Sequence, residues 1–175
     1  NLNSFDTSNV SNMQNMFANC KSLTSLDLSG FNTENVTSMK KMFSNCRRLT
    51  NLNLSNFDTS KVTDMSDMFG GLFGNSLTSL DLSSFDTSNV TNMSAMFANC
   101  ELLTNLNISR FDTSKVTDMN NMFCNCKALT SLDLSSFDTS KVRDMNNMFE
   151  SCTELINIYV SSNWNTDKAS VEDMF

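Results

Sequence analysis

The phrase Met-x-x-Met-Phe recurs along the chain and constrains its fold more than any other feature. All thirteen methionines belong to it: Met13/Met16, Met39/Met42, Met65/Met68, Met93/Met96, Met119/Met122, Met145/Met148 and Met174. Thirteen of the fourteen phenylalanines fall in two columns, and only Phe73 stands outside them. One column follows the second Met, from Phe17 to Phe175. The other is Phe5, Phe31, Phe57, Phe85, Phe111 and Phe137, with successive steps of 26, 26, 28, 26 and 26. Trp164 lies 27 further on, in place of a seventh Phe. A fixed period in the range of about 20–50 residues marks a solenoid, in which each unit buries its apolar face only against its neighbours.

Within one unit the segment Leu23-x-x-Leu26-x-Leu28-x-x-Phe31 has leucine-rich-repeat spacing, with Phe where many such repeats carry Asn. Leu26-Asp27-Leu28 alternates apolar and polar, which predicts a short strand; stacked units would pair these strands as a parallel sheet on the concave face. Val10, Met13, Met16 and Phe17 fall at offsets 0, 3, 6 and 7, a one-sided helical pattern preceded by Asp6-Thr7-Ser8 as capping candidates. The expected architecture is therefore an α/β leucine-rich-repeat solenoid with short α or 3-10 turns on the convex side.

Residues 1–175 read as a single array of about six 26-residue units, with 156–175 a degenerate terminal unit in which Tyr159 replaces the strand Asp or Asn. The array enters the repeat part-way at Asn1 and leaves it part-way at Phe175, so the chain reads as an excerpt of a longer protein. The third unit is two residues longer and carries Gly70, Gly71 and Gly74, three of the four glycines.

Composition narrows the chemistry. The chain has no histidine, which removes Ser-His and Cys-His nucleophile pairs and imidazole zinc sites. Its net charge of −7 argues against nucleic acid as a partner, since a phosphate-binding surface needs clustered cations. No apolar run approaches the roughly 20 residues of a membrane helix, and no secretion signal opens the chain. Repeated Ser, Asp and Lys occur in columns, whereas catalysis needs one convergent set, so no enzyme activity is expected within these residues.

Several columns are candidates for chemistry. Cys20, Cys46, Cys100, Cys126 and Cys152 share one column, three residues before an inward Leu. There is no C-x-x-C pair, so buried thiols acting as small hydrophobes are expected rather than a metal or disulfide framework, with Cys124 the one reachable thiol. Asn19, Asn45, Asn99 and Asn125 are expected to bond backbone groups of adjacent turns. Asp6, Asp58, Asp86, Asp112 and Asp138 suit Asx turns or caps; a calcium ladder would need more oxygens, so neither metal nor cofactor is expected. Lys61, Lys115 and Lys141 are placed to relieve carboxylate repulsion. The outward strand positions are Ser25, Asp27, Asn51, Asn53, Ser79, Asp81, Asn105, Asn107, Ser131, Asp133, Asn157 and Tyr159, a polar and mildly acidic candidate binding face. Leu72 and Phe73, in the Gly-rich insertion, are a second candidate contact, or else a loop that folds its apolar tip back.

Met16-Phe17-x-Asn19-Cys20-x-x-Leu23-x-x-Leu26-x-Leu28 resembles the repeat of BspA-like (Treponema-type) leucine-rich-repeat proteins. The 26-residue period with F-D-T-S-x-V-T-x-M is similar to the surface repeat of mycoplasma lipoproteins and of many wall-anchored gut-bacterial proteins. The resemblance implies a secreted or cell-surface, non-enzymatic recognition module: an adhesin whose partner is a protein or glycan on host or neighbouring cells. A structural spacer and an accessory region of a surface enzyme are the alternatives.

Overall fold

The structure, a computed structural model, describes Leu2 and residues 4–175; Asn1, where the sequence enters the repeat, lies outside them. The units stack as a solenoid through two parallel ladders. One is made of six short strands at the expected positions: β1 (Ser25–Leu26), β2 (Asn51–Leu52), β3 (Ser79–Asp81), β4 (Asn105–Asn107), β5 (Ser131–Leu134) and β6 (Asn157–Val160). They pair in parallel as β1-β2, β3-β4 and β5-β6 rather than as one continuous sheet. The strands are short because an Asx turn follows at once: Ser29 N–H donates to Asp27 Oδ1 at 3.0 Å, and Ser83 N–H to Asp81 Oδ1 at 3.0 Å.

The second ladder was not expected. Parallel bridges join Asn12, Ser38, Asp64, Asn92, Asp118, Asp144 and Ser170, one residue from each successive unit. Here the sequence predicts a helical turn, and among the described residues there is no helix. Asn15 (φ 60°) and Asn19 (φ 63°) are left-handed, and so are their counterparts in later units, including Lys41, Asp67 and Ala95. A left-handed residue every fourth position interrupts the helical bond pattern. The N–H groups of Met13, Asn15, Phe17 and Asn19 donate instead to Ser38, Lys40, Met42 and Ser44 carbonyls of the next unit, at 2.8–3.0 Å. Those of Met16, Ala18 and Cys20 close local turns. Asn tolerates this conformation better than other non-glycine residues, which explains its abundance at these two positions.

The inward pattern itself is obeyed. Val36, Met39, Met42 and Phe43 are fully buried, as are their counterparts in the next units. The Phe rings after the second Met stack from Phe17 to Phe175 through the core, at 5.5–5.7 Å between centroids.

A column of buried threonines, Thr7, Thr33, Thr59, Thr87, Thr113 and Thr139, clamps the units together. Thr113 Oγ1 donates to the Asp138 carbonyl at 2.9 Å and accepts the Asp138 N–H at 2.8 Å, so one hydroxyl satisfies both backbone groups of a residue in the next unit. Thr7 does the same for Asn32, and Thr33 for Asp58. The sequence reading treats Thr7 only as a cap. Its signal was the constancy of Thr at a position where Ser would cap a turn equally well.

Candidate functional site

The outward strand residues form two rows. Ser25, Asn51, Ser79, Asn105, Ser131 and Asn157 are all exposed, and the pairing sets Ser25 opposite Asn51, Ser79 opposite Asn105 and Ser131 opposite Asn157. The second row holds Asp27, Asn53, Asp81, Asn107, Asp133 and Tyr159; Asn107 is half-buried and the others are exposed. Asp81 lies opposite Asn107, and Asp133 opposite Tyr159. Residues Ser79, Asp81, Asn105, Asn107, Ser109 and Asp133 surround a groove of about 430 Å³.

Much of the polar capacity of this face is spent on its own turns. The Ser83 N–H and hydroxyl, followed by the Asn107 side chain, hold the Asp81 carboxyl below its ordinary range. Ser135 does the same to Asp133. Asn53 and Asn107 accept the same turn bond from Ser55 and Ser109, so Asp and Asn are structurally interchangeable here and differ in charge. Tyr159 is 57 % exposed.

The Asp column after Phe forms the expected turns. Asp6, Asp58, Asp86, Asp112 and Asp138 each accept the backbone N–H two residues on, at 2.9–3.0 Å. Lys61 and Lys115 bond Asn35 (2.9 Å) and Asn89 (2.7 Å) of the preceding units, and each helps, after the serine hydrogen bonds, to hold the carboxyl of its own unit's Asp58 or Asp112 below its ordinary range.

The cysteines correct one reading. Cys124 is 8 % exposed, so it is not the reachable thiol; Cys20 is the exposed one. The thiols of Cys46, Cys126 and Cys152 donate to the Phe17, Phe97 and Phe123 carbonyls at 3.1–3.3 Å, a further tie between units. Burial pushes the Cys100 thiol up to about 12, and burial with Glu150 beside it pushes Cys124 up to about 11. All six are free. In the folded protein a thiol-reactive disulfide reagent is therefore expected to label Cys20 rapidly and to reach Cys100, Cys124 and Cys126 only on denaturation. Fast labelling of Cys124, read by peptide mass, would contradict its burial.

The Asn column is only partly a side-chain ladder. Asn99 Nδ2 donates to the Gly71 carbonyl at 2.9 Å, and Asn125 Nδ2 to Asn99 Oδ1 at 3.0 Å. Asn45 Nδ2 instead reaches its neighbour Ser44 Oγ at 3.3 Å. In the insertion, Leu72 is 83 % and Phe73 57 % exposed, and the Arg47 guanidinium lies 3.6 Å from the Phe73 ring centroid. Phe73 is thus partly covered and Leu72 is not. Among the described residues, no helix is long and apolar enough to cross a membrane.

Across both halves, residues 1–75 and 71–175, the chain matches the family model described as "Mycoplasma protein of unknown function, DUF285". The chain belongs to that family. No curated protein matches. Among solved structures, a leucine-rich repeat protein from Bacteroides ovatus ATCC 8483 is similar, with a TM-score of 0.61 at 19% identity over 94% of this chain. The chain spans 40% of that structure's length. The DUF285 match and this fold likeness agree with the BspA-like resemblance of the repeat.

Proposed function

We propose that this DUF285 array is a non-enzymatic recognition module of a bacterial cell surface, an adhesin that engages a protein or glycan through the strand face. Residues 1–175 act as one array, with 156–175 as its divergent last unit. The observation that carries the proposal is the strand face itself: two polar rows, exposed except at the half-buried Asn107, with Tyr159 as an aromatic anchor at one end. Solenoids use such extended surfaces for partners, and binding surfaces concentrate energy at aromatic side chains.

The test exploits the equivalence of Asp and Asn in the turns. A variant combining Asp27→Asn, Asp81→Asn, Asp133→Asn and Tyr159→Ser removes charge and aromatic anchor while keeping the turn-forming side chains. Parent and variant are compared for saturable binding to host matrix proteins, glycan arrays and bacterial cells. Binding by the parent that is lost in the folded variant supports the adhesin. Equal binding by both moves recognition off this face, and no binding by the parent favours a spacer.

A further inference from the structure

The two-residue insertion in the third unit is rigidly built, yet it holds apolar side chains in water. Gly71 (φ 110°) and Gly74 (φ 51°) are left-handed, and a Cβ on Gly74 would collide with the Asn99 carbonyl. The loop is tied to both neighbouring units: Phe73 N–H donates to Asn45 Oδ1 at 3.0 Å, and Asn99 Nδ2 to the Gly71 carbonyl at 2.9 Å. Asn75, 6 % exposed, donates to the Phe69 carbonyl and accepts the Leu77 N–H, closing the loop from below. A loop fixed in this way loses little entropy on binding, so its exposed side chains are pre-organised as anchors.

The unit before it runs against the rest of the chain in charge. Residues 31–56 carry Lys40, Lys41, Arg47 and Arg48 against the single carboxylate Glu34, in a chain with 12 basic and 19 acidic residues. Arg47 covers Phe73 on one side of the loop. Lys41 lines a groove of about 530 Å³ together with Leu72, where it pairs with Asp67 at 3.8 Å. Lys40, Arg47 and Arg48 leave the second unit cationic beyond that pair. An apolar anchor flanked by cations complements an apolar side chain flanked by carboxylates.

We infer that the Gly70–Asn75 loop and the cationic second unit form a docking surface for an acidic protein segment carrying an exposed apolar side chain. Leu72 and Phe73 supply the anchor, and Arg47, with the exposed Arg48 next to it in the chain, supplies the charge. A bare polyanion would use the cations and leave Leu72 in water, so it fits less of what is built here. This surface is separate from the strand face and stands or falls independently of it.

The probe is a short fluorescein-labelled peptide with glutamates flanking a central Trp-Leu pair, followed by fluorescence anisotropy. Controls replace glutamate by glutamine, or the Trp-Leu pair by alanines. The parent protein is expected to prefer the full probe over both controls, with affinity that falls as salt rises. Leu72→Ser is expected to weaken binding about tenfold and Arg48→Gln several-fold, both at unchanged circular dichroism. The strand-face variant is expected to bind as the parent does. Equal affinity of parent and Leu72→Ser overturns the proposal, as does absence of binding by the parent. Heparin or the alanine control binding as tightly as the full probe would make the site a polyanion patch. Self-association that Leu72→Ser abolishes, read by sedimentation, would make the occupant a second copy of the chain.

Discussion

Replacing Thr113 by valine is expected to destabilise the protein by about 3 kcal/mol, although the two side chains have nearly the same shape. Thr113 is fully buried, and its hydroxyl is partner to both the N–H and the carbonyl of Asp138. Valine removes that partner, and a backbone group deprived of its hydrogen bond in the interior costs about 1–3 kcal/mol. For a chain of this length the loss corresponds to a fall of roughly 10 °C in the midpoint of thermal unfolding. Thr113→Ser is the control, because it keeps the hydroxyl and deletes one methyl, at about 1 kcal/mol. The ordering Thr, then Ser, then Val in denaturant midpoint is the result to look for. If valine proves no worse than serine, the threonine column is merely well packed and does not clamp the units.

How much of this was legible beforehand follows from what periodicity encodes. The 26-residue step fixed the solenoid, the strand positions and the inward columns, since burial on stacking depends only on which residues recur. The local conformation of Met13–Asn19 was not legible from the same pattern. Offsets of 0, 3, 6 and 7 bring side chains to one side in a helix, and equally in turns that alternate right- and left-handed residues. Asn15 and Asn19, and again Asn121 and Asn125, were the contrary signal, because Asn is among the few residues that enter the left-handed region readily. Lys41 and Ala95 show how far the stack enforces this conformation, since neither favours it. The threonine column was hidden because the same residue type both caps turns and bridges units. On the candidate face, the polar rows were readable from strand alternation. Their consumption in Asx turns was not, for it depends on the chain turning immediately after each strand.

Phe97→Ala is expected to have the largest effect and to change the character of unfolding. Phe97 is fully buried, and its ring stacks on Phe69 at 5.7 Å and on Phe123 at 5.6 Å. Truncating a buried Phe costs about 3–5 kcal/mol through lost transfer energy and the cavity left behind. Each lost ring pair adds about 0.5–1.5 kcal/mol. In an array whose units contact only their neighbours, this loss falls on the interfaces on both sides of the fourth unit, which is what makes the whole stack unfold together. Trp164, the single tryptophan, reports on the last unit, while circular dichroism reports on all of them. In the parent the two denaturation curves are expected to coincide. In Phe97→Ala they are expected to separate, as the segments on either side of the defect unfold independently. Phe97→Leu, which fills most of the cavity, is expected to shift the midpoint without separating the probes. Coincident curves in the alanine variant would show that the ladders of backbone and threonine hydrogen bonds, rather than the aromatic stack, carry the coupling between units.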